Sequence, residues 1–256
     1  MFRMADDFDN WEITGFAFLR SFFALGIGSM GSSHKFALSA LAAFCLFSTG
    51  CAVMKDYEKN QAKARAELAL ATLRCQARAE HTLFRQQPGW KKDTYRNSAV
   101  RARATPDNVR VEISLAEQRG LLLVNGAIAR DFPVATGKAS HPTPAGVFSV
   151  RDKQKVYSSN LYGKIYDGTG IVVVESADTR TDLIPEGGSF AGATMAFWMR
   201  LTDTGVGMHV GHVPGGYSAS HGCIRLRRET AGELFALVKI GTPVVIAEVA
   251  PALAKE

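Results

Sequence analysis

No stretch of about 20 uninterrupted apolar residues occurs in the chain, which excludes a polytopic helical membrane protein. No dense Lys/Arg cluster with interleaved aromatics occurs either, so nucleic acid is not an expected partner. Cysteine is scarce. Cys45, Cys51, Cys75 and Cys223 among 256 residues make no disulfide framework. Charge of one sign is limited too: 30 Lys and Arg against 24 Asp and Glu leave +6. So mild a basic excess suits phosphate, lipid headgroups or acidic polymers without choosing among them. What is present is an ordinary globular composition, 46% hydrophobic and 21% charged, which excludes wholesale disorder and a fibrous rod. The length allows one large domain or two small ones and is ample for a core. No internal repeat is visible.

Residues 1–29 carry Asp6, Asp7, Asp9 and Glu12 against Arg3 and Arg20, the wrong charge for the start of an export signal. From Met30 the pattern changes. A short polar stretch ending in Lys35 leads into the mostly apolar residues 36–47, and small residues Ser48-Thr49-Gly50 precede Cys51. This segment resembles the lipobox of bacterial lipoproteins, with Ser48 standing where Leu is usual. The resemblance implies a true start at Met30 and lipidation of Cys51 as the new N-terminus. Ala52 in place of Asp then implies a periplasmic protein anchored to the outer membrane. An ordinary cleaved signal or an uncleaved anchor is the alternative. Residues 1–50 are thus read as a leader that takes Cys45 with it.

Residues 51–107 read as a helical spacer and linker. Residues 55–84 are rich in Ala, Glu, Lys, Gln and Arg and lack Gly and Pro, so they predict a helix. Leu68, Leu70, Ala71 and Leu73 give it only a narrow apolar stripe, as expected of a solvated spacer. Pro88-Gly89 ends it, and residues 86–107 are a polar linker. From Asn108 the period changes to two: Val109, Val111 and Ile113 alternate with polar residues. Residues 121–124 and 128–135 form further strands around Asn125-Gly126, a strong hairpin signal. Residues 147–150, 170–175 and 243–247 continue the series. Ala231, Leu234, Phe235 and Val238 mark one late helix, capped by Gly241. The expectation is a mainly β domain over 108–249, a sandwich or barrel with one helix near its end.

Three histidines and a cysteine fall within residues 209–223, in a Gly-rich setting. Cys223 is a candidate nucleophile. A thiol ordinarily titrates near ~8.5, so it needs a base or a positive charge to react at neutral pH. His209 and His221 are the candidate bases. His209 sits on a strand-like segment, facing away from Val206, Met208 and Val210. Gly222 lets the backbone turn tightly and present N–H groups to an oxyanion. A zinc site of His209, His212, His221 and Cys223 is the competing reading. His209 and His212 lie three apart on a strand and point to opposite faces, and no second cysteine supports it. No metal and no cofactor is therefore expected, and His212 is read as a surface residue.

Ser220-His221-Gly222-Cys223-Ile224-Arg225-Leu226, with His209-x-Gly211 and Pro214-Gly215 upstream, resembles the signature of the L,D-transpeptidase (YkuD-type) catalytic domain. The stretch from Val134 through Gly137-Lys138 and Pro142-Thr143-Pro144 to Phe148 resembles that family as well. So do Phe197-Trp198-Met199-Arg200-Leu201-Thr202 and Gly241-Thr242-Pro243-Val244. The resemblance implies a β-sandwich acting on peptidoglycan stem peptides. Cys223 would attack the carbonyl of the third residue, usually meso-diaminopimelate, expel D-Ala and form a thioester. An amine acceptor would give a 3→3 cross-link or attachment to an outer-membrane lipoprotein. Water as acceptor would make the protein an L,D-carboxypeptidase, and a non-catalytic wall-binding lipoprotein is the third reading. By the same resemblance His209 is the base and His221 a positioning residue. Gly222 and Cys223 supply oxyanion N–H groups, and Ser220 supports the loop. Arg225 holds the loop or a substrate carboxylate, and Trp198 and Tyr217 are candidates for the substrate groove.

Overall fold

A computed structural model describes residues 32–254, with side chains from Val53 onward. Residues 1–31 of the expected leader, with its proposed start at Met30, lie outside the described residues, as do the side chains of Cys45 and Cys51. The chain divides into two compact units at Arg65/Ala66, and the fold below is that of the unit beginning at Ala66. Among the described residues no helix is long and apolar enough to cross a membrane.

The first helix, α1 (Ser32–Gln86), covers the predicted helical stretch and extends it N-terminally. Two short elements follow, β1 (Tyr95–Arg96) and α2 (Ser98–Arg101). The sheet then begins with β2 (Val109–Ser114), β3 (Arg119–Val124) and β4 (Ala127–Ala135). Next come β5 (Gly146–Ser149), the long β6 (Asp152–Tyr166), β7 (Val172–Asp178) and β8 (Ser189–Arg200). The chain closes with β9 (Gly207–Val210), β10 (Ile224–Leu226), α3 (Arg228–Leu237) and β11 (Pro243–Ala247). The fold is mainly β with one late helix, as the sequence predicts. Its strands form a single hydrogen-bonded path, β5-β11-β2-β3-β4-β10-β9-β8-β6-β7, with β1 added to β4. The late helix ends at Leu237 and Val238 is already extended, so Gly241 belongs to the turn before β11 and is not a cap.

Every residue of β3 and β4 is buried, because apolar layers cover both faces of this hairpin. Leu122, Val124, Phe132 and Val134 point into the main core with Val111, Ile113, Met208, Ile224 and Leu234. Leu121, Leu123 and Ile128 point the other way, against Tyr95, Phe84 and Ala250. Asn125 and Gly126, with φ of 48° and 80°, make the tight turn between the strands.

The second layer corrects the reading of residues 51–107 as spacer and linker. The last turns of α1 and the segment through α2 are part of the domain. Asp131 in β4 is fully buried and takes His81 Nε2 at 2.6 Å, Arg119 Nε at 2.7 Å and Arg85 Nε at 3.1 Å. Arg85 also grips Glu117 with two hydrogen bonds of 2.9 and 2.8 Å. Arg119 reaches the carbonyls of Lys91 and Asp93 at 3.0 and 2.9 Å, tying the expected linker to the sheet. The hydrogen bond from His81 and the charges of Arg119 and Arg85 outweigh burial and hold the Asp131 carboxyl below its usual range. A narrow apolar stripe suggested a solvated helix. The helix docks instead through Leu73, Ala77 and Phe84 together with charged side chains, and a hydropathy pattern does not register the latter.

Candidate active site

β9 and β10 run parallel, with Met208 opposite Ile224 and His209 opposite Arg225. Residues opposite each other share a sheet face, and so do residues two apart. Cys223, immediately before β10, therefore lies on the face of Arg225 and His209, one diagonal step from His209. β10 is itself held by β4, Leu226 opposite Val134 and Arg225 opposite Ala135. The nucleophile and base candidates thus stand on adjacent strands braced against the most buried part of the sheet.

His209 is buried and donates from Nδ1 to the Val210 carbonyl at 2.8 Å, which leaves Nε2 as a proton acceptor. Burial pushes its pKa down to about 4, with Arg225 adding to the effect and the Val210 carbonyl opposing it. Burial pushes the Cys223 thiol above its usual range, partly offset by the Gly207 N–H and Arg225. The thiol rests 3.7 Å from the Gly205 carbonyl. Imidazole and thiol are both neutral at pH 7. Groups in these states suit proton transfer during an attack and not a standing ion pair.

The loop carrying Cys223 is clamped from the β4 side. Ser220 is its hub: its N–H reaches the Thr136 carbonyl at 3.0 Å and its carbonyl accepts Lys138 N–H at 3.1 Å. The Ser220 hydroxyl accepts Gly222 N–H at 3.1 Å and donates to the Cys223 carbonyl. Thr143, which the sequence reading did not single out, bridges Gly137 N–H at 2.8 Å to the Gly222 carbonyl at 2.7 Å. A Cβ on Gly137 would sit 2.0 Å from the His141 carbonyl oxygen, so only glycine permits this approach. Gly222 itself holds a φ of 111°. Its N–H, expected to face an oxyanion, is engaged by Ser220.

Cys223 opens onto a cavity of about 370 Å³ whose walls include His221, Tyr157, Tyr162, Arg180 and Arg200. His221 is exposed, with its ring 4.8 Å from Tyr162 and 5.0 Å from His141. Partial burial and the charges of Lys138, His141 and Arg225 lower its pKa. Three expectations need correction. Trp198 does not line the groove: it is fully buried, stacked 4.9 Å from Tyr157 and tilted 5.9 Å from His209, so it shields the candidate base from water. Tyr217 is 61% exposed on the β9–β10 loop, away from the cavity. Arg225 is half-buried with its stem over Gly211 and acts on His209 and Cys223 through its charge, not from the cavity wall. His212 is exposed. Tyr162 and Arg180 had no local sequence signal, because the β6–β8 region brings them to the site.

A family model described as the L,D-transpeptidase catalytic domain (YkuD) matches residues 108–246, and the chain belongs to that family. L,D-transpeptidase 1 of Mycobacterium tuberculosis (strain ATCC 25618 / H37Rv) is 31% identical over 127 residues, 48% of this chain and 43% of the relative. The chain thus spans less than half the length of that curated relative. Among solved structures, an L,D-transpeptidase from Mycobacterium smegmatis is 25% identical, with a TM-score of 0.42 over 55% of this chain and 58% of the other. The LD transpeptidase LdtMt1 in complex with imipenem is likewise 25% identical, with a TM-score of 0.41 over 55% and 59%.

Proposed function

We propose that the protein is a cysteine-dependent L,D-transpeptidase acting on peptidoglycan stem peptides. The observation that carries this reading is the shared face of His209 and Cys223, with a neutral imidazole whose Nε2 is free to accept. His209 takes the thiol proton as sulfur attacks the carbonyl of the third stem residue. The tetrahedral oxyanion receives the Cys223 N–H, since that of Gly222 is bound to Ser220. Collapse expels the D-Ala amine, which takes the proton back from His209, and a thioester remains. An acceptor amine then attacks the thioester carbonyl, His209 removes the amine's proton, and the thiol is released as the amide forms. Trp198 keeps the imidazole dry and poorly basic in the resting state, so the base is always unprotonated when substrate arrives.

The lipobox-like segment ending at Cys51 supports a periplasmic protein tethered to the outer membrane by acyl chains. Labelled palmitate incorporated into wild type and not into Cys51→Ala tests this part. The catalytic reading is tested by intact-protein mass after exposure to imipenem, the ligand named in one structural relative. A stable adduct at Cys223 supports the reading, and an unmodified protein overturns it. Incubation with muropeptides then distinguishes an amine acceptor from water.

A further inference from the structure

The cavity beside Cys223 contains one cation that the fold leaves uncompensated. Arg180 lines the cavity but is held by both Asp178 carboxylate oxygens, at 2.9 and 2.6 Å, and by the Tyr162 hydroxyl at 2.7 Å. Asp203 lines it too, and its carboxylate is taken by Arg151. Arg200 lines the same cavity and has no ion pair or side-chain hydrogen bond among the described residues. Even the carboxylate of Asp152, its partner across the β6–β8 ladder, is engaged elsewhere, by Lys153 N–H at 2.7 Å and the Gln154 amide at 2.8 Å.

Arg200 is nonetheless held in place. Its guanidinium carbon lies 5.8 Å from the ring centroids of both Tyr157 and Trp198, which stack on each other. Such a contact fixes the cation without consuming its N–H groups. A guanidinium cannot lose its charge, and its planar fork matches a carboxylate bidentately. A fixed, charged donor facing the nucleophile's cavity is suited to an anionic group on the substrate.

We propose that Arg200 is the carboxylate-binding residue of the acyl-donor site. The inference rests on the function proposed above and moves to Arg200 the role that sequence resemblance offered to Arg225. Two donor groups share the required chemistry: the terminal carboxylate of the departing D-Ala, and the carboxylate at the far end of diaminopimelate.

The test uses the full chain as wild type, Arg200→Gln and Arg200→Lys. The second-order rate of Cys223 acylation is followed by intact mass with three tetrapeptides: the free acid, the C-terminal amide and the diaminopimelate amide. Alkylation by iodoacetamide, which carries no charge, read on the peptide that contains Cys223 because Cys75 is also free and exposed, reports whether the thiol site is intact. Arg200→Gln should slow acylation by the free acid about 10- to 100-fold while alkylation stays within about twofold, and Arg200→Lys should recover part of the loss. Wild type should lose the same factor on one of the two amides, and Arg200→Gln should lose nothing further on it. That amide identifies the carboxylate. Equal losses on all three peptides, or none on any, overturn the assignment. Wild-type protein that is alkylated but acylated by no peptide overturns the transpeptidase reading instead.

Discussion

The β3–β4 hairpin and the β6–β8 pair are built on opposite plans. The first is buried along its whole length between two apolar layers and pinned by the Asp131 charge cluster. The second is longer, and of the fifteen residues of β6 only Ser159 and Ile165 are buried. The Cys223 loop and, through β10, the His209 strand are fastened to the first region, whereas Tyr157, Tyr162 and Arg200 come from the second. The proposed chemistry is therefore set on the more deeply buried side of the molecule and the cavity wall on the more exposed side. Substitutions should separate accordingly into losses of acylation chemistry, of stability and of recognition.

The largest effect is expected at the nucleophile. Cys223→Ser should form no imipenem adduct while its thermal unfolding matches wild type, because an alkoxide is far harder to generate than a thiolate. His209→Ala comes next, with acylation slowed about 10²–10⁴-fold. In wild type the acylation rate should fall on the acid side near pH 4, where His209 titrates, and not near 6.5. The same shift has a stability consequence with a definite sign. The unfolded chain takes a proton on this histidine below pH 6.5 and the folded chain refuses it until about 4. Folding stability should therefore fall as pH drops through that window, by about 3 kcal/mol in total, and the slope should flatten in His209→Ala.

Breaking the buried side away from the site gives the reverse pattern. Asp131→Asn leaves Arg119 buried against a neutral partner and should cost about 3–5 kcal/mol, read as a fall in Tm of about 10 °C or more. Alkylation of Cys223 well below the transition should be unchanged. Thr143→Val removes the bridge between Gly137 and Gly222. It should slow acylation about tenfold and cost about 1 kcal/mol of stability. A Thr143→Val enzyme with wild-type acylation would show that the clamp is not needed to aim the thiol. His212→Ala, exposed in the loop beyond the end of β9, should change neither quantity.

The contrast between the two regions also explains what could be read from the sequence. β2, β3 and β4 announce themselves through alternation, a run of apolar residues and Asn125-Gly126. Cys223, His209 and Ser220 stood out as candidates because loop chemistry needs particular residue types at close spacing. β6 was not legible: Asp152–Tyr166 alternates poorly, being half-exposed on both faces and interrupted by Gly163. The groove candidates failed for a related reason. An aromatic near a catalytic residue can face the cavity or support the base from behind, and composition does not distinguish the two. Trp198 supports the base, while its stacking partner Tyr157 forms the wall. The domain's N-terminal layer was missed because its contacts, polar ones such as His81 with Asp131 and apolar ones such as Phe84 with Leu121 and Leu123, join residues far apart in sequence.

That layer redraws the smallest fragment worth expressing. The family match begins at residue 108, and a polypeptide cut there would keep every residue of the proposed mechanism. It would also strip Phe84 and Tyr95 from Leu121, Leu123 and Ile128 and leave the fully buried carboxylate of Asp131 with Arg119 as its remaining partner. Such a fragment exposes an apolar sheet face and invites self-association before any assay begins. A fragment starting at Ala66 retains His81, Arg85, Tyr95 and the covering layer, and is the shorter chain that should behave as the whole protein does.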